Sequence, residues 1–275
     1  MIKDITIGQY YKADSLLHRC DPRTKLLLTV AFIVAIFLCK NFFALALMGA
    51  LTVISVLISK VPVKMFLKSM KPIIPLILLT AILNIFYTTG GEVLISFWKI
   101  TIRDKSIYTA LFIAIRIFCL IIISSLLTYT TTPTKLTDGI EKLLKPLDLI
   151  LKPFNFQVHT IAMMMTLALR FIPTLIEEID KIMNAQKARG ADLESGGIMQ
   201  RAKALIPIII PLFVSSFRRA YELAFAMDCR CYTGGDGRTR MKKMKFTLSD
   251  LLVSVVFVVI FAGIIFLNIR FDPVI

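Results

Sequence analysis

Two arginines stand in similar segments of the second half of this sequence, "AQKARGADLE" at residues 185–194 and "AMDCRCYTGG" at residues 226–235. Arg189 and Arg230 lie 41 positions apart, and a small residue follows each of them. One interpretation is structural, because an arginine in the last turn of a helix stabilises the negative end of the helix dipole by about 0.3–1 kcal/mol. The other is binding, since two projecting guanidinium groups suit a partner that also comes in two halves.

An amphipathic helical pattern precedes each arginine, with apolar residues on one face and charged residues on the other. The apolar positions are Leu175, Ile176, Ile179, Ile182 and Met183 in the first, and Phe213, Phe217, Ala220, Tyr221 and Ala224 in the second. The charged positions are Glu177, Glu178, Asp180 and Lys181 in the first, and Arg218, Arg219 and Glu222 in the second. Gly190 is a natural residue of positive φ just after a helix end. The pattern predicts that each arginine lies at the end of an amphipathic helix.

Other candidate chemistry is weak. Cys229 and Cys231 form a Cys-x-Cys pair, but no second pair or histidine lies nearby in the sequence, so we predict no metal site. No spacing among the five cysteines resembles a disulfide framework, and we expect free thiols. The glycine-rich "GGDGRTR" lacks the Gly-Lys-Ser/Thr ending of a phosphate loop. Any nucleotide hydrolysis must therefore occur in another subunit.

The composition indicates an integral membrane protein. Hydrophobic residues make up 57% of the chain and the mean hydropathy is +0.77, whereas soluble domains are about 45–50% apolar. The first 25 residues lack the apolar core and cleavage site of a secretory signal. We predict an all-α fold with about five transmembrane helices. The apolar runs that predict them are Leu26–Cys39, Phe42–Ser59, Ile73–Tyr87, Tyr108–Tyr129 and Leu251–Ile269.

The distribution of charge predicts the orientation. The N-terminal tail, the loop after the second span and residues 131–249 carry 27 of the 33 Lys and Arg, and the opposite side carries 5. Basic residues concentrate on the cytoplasmic side, so we expect the N-terminus and residues 131–249 inside the cell and the C-terminus outside. The net charge of +15 then reflects orientation and predicts no nucleic-acid partner. The basic, amphipathic stretch at residues 60–71 is typical of a surface segment that meets anionic headgroups.

Two segments between the fourth and fifth spans are apolar but short. Thr160–Pro173 is interrupted by Arg170, and Ala204–Phe217 contains Pro207 and Pro211. A span needs about 17 residues, so we interpret both as buried helices of a cytoplasmic or interfacial subdomain. A single true span among them would move the C-terminus to the inside. The predicted domains are residues 1–130 with the tail and four spans, 131–249 with this subdomain and its two long amphipathic helices, and 250–275 with the last span.

Arg116 is an ionisable residue inside a predicted span, which makes it a functional candidate by default. It either pairs inside the bundle with Asn84 or backbone carbonyls, or contacts a partner protein in the membrane. A membrane-embedded enzyme would need acids, histidines or an activated nucleophile, but the predicted spans contain no acid or histidine and offer Asn84, Arg116, Ser124 and Ser125. We therefore expect no catalytic activity. A stand-alone channel or a secondary carrier is the alternative to a binding scaffold.

The two arginine-bearing segments, residues 185–194 and 226–235, are called the arginine cassettes below. They resemble the paired Ala-Arg-Gly motifs of the transmembrane T component, EcfT, of energy-coupling factor (ECF) transporters. The segment "SSFRRAYELAFAMDCRCY" at residues 215–232 is similar to that family's second motif region. The segment "SLLHRCDPRTKLLL" at residues 15–28 resembles its entry segment. In that segment an Asp-Pro-Arg precedes the first span, here Asp21, Pro22 and Arg23. The likeness extends in order over nearly the whole chain.

The resemblance implies a scaffold subunit of an ECF-type ABC transporter. Such a subunit sits in the bilayer and joins two cytoplasmic ABC-type ATPases to a membrane-embedded substrate-binding S component, for uptake of a vitamin or other micronutrient. It implies no cofactor on this chain, because ATP and Mg²⁺ are used by the partner ATPases. Two long coupling helices would cross, each docking on one ATPase. The docking motifs would be Ala188, Arg189 and Gly190 in the first helix, and Cys229, Arg230 and Cys231 in the second.

The second cassette departs from the family pattern, because Cys229 stands where Ala is usual and Cys231 where Gly is usual. A cysteine with a positive φ would be strained by about 1 kcal/mol or more. We therefore expect the second helix to continue to about Thr233 and to end with Gly234 as its residue of positive φ. The two sites would then differ in geometry, although Arg230 would keep its role.

Overall fold

The structure, a computed structural model, describes residues 10–87, 93–97, 100–147, 158–191, 197–234 and 244–270. Helices dominate these ranges, so the predicted all-α membrane fold is confirmed. The helices are α1 Leu16–Arg19, α2 Pro22–Leu38, α3 Phe42–Ser59, α4 Val63–Met70, α5 Ile74–Tyr87, α6 Asp104–Thr130, α7 Pro133–Leu144, α8 Val158–Ala188, α9 Ile198–Asp228 and α10 Leu248–Arg270. A small antiparallel hairpin that the sequence did not predict joins α5 to α6, with strands β1 Val93–Phe97 and β2 Ile100–Arg103. A single 3₁₀ turn, Lys145–Leu147, follows α7.

Each predicted span corresponds to a helix. Helix α3 has the predicted bounds, while α2, α6 and α10 begin three or four residues early because capping residues and a polar first turn precede their apolar runs. Among the described residues, α3, α6, α8, α9 and α10 are long and apolar enough to cross a bilayer. Helix α2 has 17 residues, the lower limit of the range of about 17–25 that spans. Helices α4 and α5 are bent by 57° at their junction, and only taken together do they have the length and composition of a further span.

The prediction of two short buried helices within residues 131–249 is wrong. Thr160–Pro173 and Ala204–Phe217 are the middle parts of α8 and α9, each of which has 31 residues. Few side chains along α8 and α9 are buried, and the described buried ones are Val158, Ala162 and Ile208. Both helices therefore satisfy the length and composition of a span, and their apolar surface is available to lipid or to another protein.

The prolines do not end α9 because the partner helix replaces a missing donor. In an α-helix the N–H of residue 211 would bond the carbonyl of residue 207, but Pro211 has no N–H. Gln186 of α8 donates from Nε2 to the Pro207 carbonyl at 3.1 Å. This contact satisfies the carbonyl that Pro211 leaves open, and α9 continues.

The described helices form two compact units, α1–α7 with α10, and α8 with α9. The core of the first unit lies mainly where α2, α3 and α6 meet. Its largest fully buried side chains include Ile36, Leu45, Met48, Phe112 and Ile264. Many apolar side chains on the outer faces are exposed, as Leu27 and Leu57 are, which suits helices that contact lipid. The domain boundaries predicted at residues 130 and 249 stay predictions.

Helices α2 and α10 run parallel, because both of their ends are bonded in register. Where they begin, the Asp21 N–H donates to Asp250 Oδ1 at 2.7 Å. Where they end, Asn268 donates from Nδ2 to the Leu38 carbonyl at 2.7 Å. The first residues of α2 and α10 therefore lie on one side of the membrane.

Helix α6 ends on that same side. Lys25, in the first turn of α2, donates from Nζ to the carbonyl of Thr130, the last residue of α6, at 3.0 Å. The chain between the end of α6 and the start of α10 therefore crosses the membrane an even number of times. This arrangement argues against a single span in that region, which the sequence left open. Helices α8 and α9 either both cross or both remain on one side.

Candidate functional site

The first arginine cassette closes α8 with a left-handed residue. Gly190 has φ of 87°, and its N–H donates to the Lys187 carbonyl at 3.0 Å. The next N–H, of Ala191, donates to the Gln186 carbonyl at 3.0 Å. These two bonds form the Schellman closure, which satisfies carbonyls in the last turn of a helix. The positive φ predicted for Gly190 after the helix end is confirmed, and Arg189 immediately precedes it.

The second cassette closes α9 in the same way. Cys231 has φ of 53°, its N–H donates to the Asp228 carbonyl at 2.9 Å, and the Tyr232 N–H donates to the Met227 carbonyl at 3.1 Å. The prediction that α9 continues to Thr233 is wrong. The left-handed conformation costs about 1–2 kcal/mol for a non-glycine residue, and the two closing hydrogen bonds offset much of this cost.

The two closures are equivalent residue by residue. Gly234 also has a positive φ, of 103°, but Cys231 rather than Gly234 holds the position that Gly190 holds in α8. Arg189 and Arg230 therefore occupy the same place at the end of a helix. Both side chains are exposed, and neither has an ion-pair partner within the described ranges. The residues beside them are exposed too, namely Ala188, Gly190, Cys229 and Cys231.

Helices α8 and α9 pack in antiparallel directions. Gln186, near the end of α8, contacts Pro207 in the first half of α9, whereas Phe171, in the first half of α8, shares a groove with Met227 near the end of α9. Midway, Glu178 accepts a hydrogen bond from the Ser215 hydroxyl and forms an ion pair with Arg219, whose Nη2 lies 2.6 Å from Oε2. The sequence pattern placed Glu178 and Arg219 on the charged faces of their helices, and in the structure the two residues meet between the helices. We call this three-residue contact the central latch.

The central latch lies at matching positions of the two helices. Glu178 and Arg219 are 41 residues apart, as are Arg189 and Arg230, so each arginine follows its latch residue by 11 positions. At about 1.5 Å per residue, each end lies roughly 16 Å along the helix from the latch. Because the helices are antiparallel, the two arginines lie at opposite ends of the pair. The arrangement is an approximate two-fold with an exposed guanidinium at each end.

An exposed aromatic stripe follows α9. Phe213, Phe217, Tyr221 and Phe225 are 54–79% exposed and recur every fourth residue. The Phe213 and Phe217 rings contact each other edge to face, with centroids 4.6 Å apart. Contiguous aromatic surface of this kind is typical of protein interfaces and of helices in lipid. The aromatic part of the apolar face that the sequence predicted for α9 is therefore not covered by α8.

The Asp-Pro-Arg segment forms a structural junction. Asp21 caps α2, and its Oδ1 accepts from the Arg23 N–H at 3.0 Å, while Pro22 occupies the first helical position. The Arg23 guanidinium lies over the Phe246 ring, 5.7 Å from its centroid. Gly139 of α7 packs so closely that a Cβ there would lie 3.2 Å from the Pro22 side chain. The segment thus joins the start of α2 to α7 and to the residues before α10.

Asp250 completes this junction, and sequence reasoning missed it. Its Oδ2 accepts from the Thr247 N–H at 2.7 Å, while its Oδ1 holds the Asp21 N–H, so one buried carboxylate caps two helices. The motif "TLSD", residues 247–250, is a capping-box pattern that could have identified the first of these bonds. The second bond spans 229 residues of sequence, and no local pattern predicts it.

The N-terminal tail is held to the same unit through His18. The ring Nε2 lies 3.0 Å from the Tyr11 carbonyl, and Nδ1 lies 2.7 Å from the Ser15 hydroxyl. Since a carbonyl can only accept, Nε2 is the donor. The Tyr11 N–H in turn donates to the Tyr129 carbonyl of α6 at 3.0 Å. Burial lowers the pKa of His18, and the bond to Tyr11 opposes this shift.

Arg116 donates to a backbone carbonyl, in agreement with the first of the two interpretations of this residue, pairing inside the bundle. Its Nη2 donates to the Cys39 carbonyl at 2.6 Å, and its guanidinium lies over the Phe112 ring, 4.7 Å from the centroid. Cys39 follows the last residue of α2, so Arg116 satisfies an open carbonyl at that helix end. Asn84 instead donates to the Thr80 carbonyl within α5. Contact of Arg116 with a partner protein stays a prediction.

All five cysteines are free thiols, as predicted. Across the parts of the chain that the structure describes, no cluster of three or more His, Cys, Asp or Glu could hold a metal ion. The ends of α8 and α9 present two exposed guanidinium groups, and α9 presents an exposed apolar surface.

Comparison with known proteins identifies the family. The sequence profile of the cobalt transport protein family, CbiQ, matches residues 13–242. The energy-coupling factor transporter transmembrane protein EcfT of Clostridium kluyveri is 54% identical over 92% of this chain and 93% of its own length. That of Ruminiclostridium cellulolyticum is 52% identical over 98% of both chains, and that of Bacillus subtilis is 44% identical over 98% of this chain and its whole length. With its membrane helices and paired arginine ends, the chain belongs to the family of EcfT, the transmembrane protein of energy-coupling factor transporters.

Proposed function

We propose that this chain is the scaffold of an ECF-type ABC transporter, and that each arginine end of the α8–α9 pair docks on one of two cytoplasmic ATPase subunits. The observation that supports this most directly is the equivalence of the two ends. Both have the same Schellman closure, an exposed arginine at the same position and the same 11-residue separation from the central latch. A pair of similar ATPases presents two similar sites, which this approximate two-fold can occupy at once.

The chemistry of docking is that of a guanidinium and a carboxylate. Arg189 and Arg230 are exposed in the free chain, so each is available to form a bidentate pair in a groove of an ATPase. Once such a pair is buried, removing one partner costs about 2–5 kcal/mol. That corresponds to roughly 30-fold to several-thousand-fold in affinity. Loss of one arginine would therefore weaken one ATPase site strongly.

The central latch lets the pair transmit motion. Glu178 and Arg219 fix the helices to each other midway, so a displacement of one arginine end moves the other helix as well. The scaffold itself would hydrolyse nothing and bind no cofactor, since ATP and Mg²⁺ would be held by the ATPases.

The membrane-embedded S component is the second partner in this proposal. The aromatic stripe Phe213, Phe217, Tyr221 and Phe225 offers the exposed apolar surface that such a protein needs. The S component would bind the transported vitamin or micronutrient. The scaffold would convert ATPase motion into movement of that subunit.

The orientation follows from charge and from the parallel arrangement of α2 and α10. The basic side of the chain would be cytoplasmic, which places the N-terminus and residues 131–249 inside the cell. Because α10 begins beside Asp21 and ends beside Leu38, the C-terminus would lie outside. Both arginine ends would then be on the side where ATP is available.

The test is charge reversal at each arginine in the full chain co-expressed with its ATPases. Arg189→Glu and Arg230→Glu should each lower ATPase retention during purification, and the double variant should abolish assembly and uptake. Arg218→Glu is the matched control, because Arg218 is exposed on α9 but lies far from its end. Intact assembly in the double variant would refute the proposal. A chain that transports its substrate without any co-purifying ATPase would instead support a stand-alone channel or carrier.

A further inference from the structure

Helix α4 carries three lysines on one narrow face. At about 100° per residue, Lys64, Lys68 and Lys71 fall within an arc of about 60°. Lys71 follows the last residue of α4 but still has helical dihedrals, φ of −49° and ψ of −45°. All three side chains are exposed. We call this set the lysine face.

The rotation of α4 is fixed from its opposite side. Phe66 and Met70 are 3% and 7% exposed, and the Phe66 ring meets the Tyr129 ring edge to face, with centroids 5.3 Å apart. The Tyr129 hydroxyl donates to the Met65 carbonyl at 3.2 Å and also bonds the Ser69 hydroxyl. A helix held by two buried side chains and a bonded tyrosine cannot roll, so the lysine face stays directed outward.

The depth of α4 is that of the membrane edge. Tyr129 is the next-to-last residue of α6, and the following residue, Thr130, is bonded by Lys25 from the first turn of α2. Helix α4 therefore lies at the level where α2 begins and α6 ends. Val63 and Leu67, beside the lysines, are 57% and 60% exposed. A short helix at this level with an outward cationic face flanked by exposed apolar residues has the character of an interfacial helix.

The charge on this surface is not balanced locally. Residues 60–71 contain four lysines and no acidic residue. Lys60 is exposed and ends α3 in a left-handed conformation, with φ of 56°. Among the described residues, the carboxylates of Asp14, Asp21 and Glu178 form ion pairs, and their partners are arginines. The described residues supply no ion pair to the lysine face.

The geometry points to the headgroup phosphates of anionic bilayer lipids as the partner of the lysine face, with Val63 and Leu67 in the adjoining acyl region. This site is separate from the arginine ends and needs neither ATPase nor S component. An anionic membrane surface attracts each nearby lysine with a free energy that corresponds to about fivefold in affinity. Neutralising three lysines should therefore weaken retention of anionic lipid by about 100-fold at low salt.

The experiment uses the full chain in nanodiscs of phosphatidylcholine and phosphatidylglycerol, followed by exchange into detergent and measurement of the lipid retained by each protein molecule. Wild type should retain phosphatidylglycerol over phosphatidylcholine, and the triple variant Lys64→Gln, Lys68→Gln, Lys71→Gln should lose this preference. The triple Lys→Arg variant should keep it, which shows that the fold tolerates change on this face. The matched control neutralises three exposed lysines elsewhere in the same unit, Lys12, Lys135 and Lys245.

Equal loss in the α4 variant and the control variant would mean general attraction between charges, and would overturn the proposal. Unchanged lipid preference in the α4 variant would overturn it too. If that variant retains phosphatidylglycerol but loses co-purifying ATPase, the lysine face binds protein rather than lipid. If Arg189→Glu with Arg230→Glu loses ATPase while lipid preference is kept, the two sites are independent, as expected here.

Discussion

Removal of the central latch is expected to loosen the α8–α9 pair without unfolding the helices. Glu178 and Arg219 are 2.6 Å apart, with side chains 19% and 37% exposed. A fully exposed ion pair is worth about 0.2–1 kcal/mol, and a hydrogen bond to a charged group about 1.5–3 kcal/mol. Because this pair is only partly buried, solvent screening reduces the coupling between the two residues to about 1–1.5 kcal/mol.

A double-mutant cycle measures that coupling. Glu178→Ala, Arg219→Ala and the double variant are compared by thermal unfolding of the purified full chain in one detergent. The double variant should be more stable than the sum of the single losses predicts, by about 1–1.5 kcal/mol. Glu178→Gln should lose less than Glu178→Ala, since an amide oxygen can still accept from Ser215.

The geometry of the pair is followed with spin labels at Ala185 and Ala226, which are exposed and lie at equivalent positions. Cys229 and Cys231 are first replaced by serine, and the other three cysteines are buried. The distance distribution should be narrow with the latch present and broader in Glu178→Ala. If the stability losses of the two single variants add up and the distance distribution does not change, the central latch does not hold the helices together. The proposal that the latch couples the two arginine ends would then fail.

Three further outcomes are expected, each measured by thermal unfolding of the full chain. Cys231→Gly should stabilise α9 by about 0.5–1 kcal/mol, because glycine adopts positive φ without strain; a loss of stability would contradict the assigned closure. Asp250→Ala should cost about 2–3 kcal/mol, since two helix-capping bonds are lost together, whereas Asp250→Asn should cost about half of that. The pKa of His18 is lowered in the folded chain, so its neutral ring contributes to folding stability in full above about pH 6.5. That stability is lost as the pH falls through the folded pKa. In His18→Gln, this loss of stability between about pH 8 and pH 5 should disappear. If wild type and His18→Gln lose the same stability on acidification, another group is responsible.

The five apolar runs of the sequence predict α2, α3, α5, α6 and α10, whereas the full length of α8 and α9 and the contacts between helices could not be predicted. Apolar runs alone identified α3 to the residue, because nothing but hydrophobic length is needed to specify a span. The Pro207 carbonyl that Pro211 leaves open is bonded by Gln186, a residue of another helix. The sequence around the prolines does not show this contact, and it therefore predicted a short helix there. The Asp21–Asp250 hydrogen bond also cannot be predicted from neighbouring residues, because it joins the first span to the last.

The candidate site was found from its side chains, but its geometry was misjudged at Cys231. Local propensity disfavours a left-handed cysteine, and Gly234, three residues later, is the better local choice. The closure occurs at Cys231 because it matches two donors to two helix carbonyls, a gain that single-residue propensity does not include. The sequence did not predict that charged residues lie between α8 and α9, where Glu178 and Arg219 form an ion pair. The reason is related, because each residue has its partner on the other helix.

The structure also bears on the two interpretations of the paired arginines, and it supports the proposed binding role. Of the six positions in 185–190 and 226–231, only the alanine and the arginine are shared, yet both helices close with the same hydrogen bonds. The closure therefore does not require arginine. Nor does the helix dipole explain it, because the position held by Lys187 in α8 is held by Asp228 in α9, and an anion there opposes the dipole. An arginine at each end, exposed and unnecessary for either closure, supports the proposal that these residues dock on partner subunits.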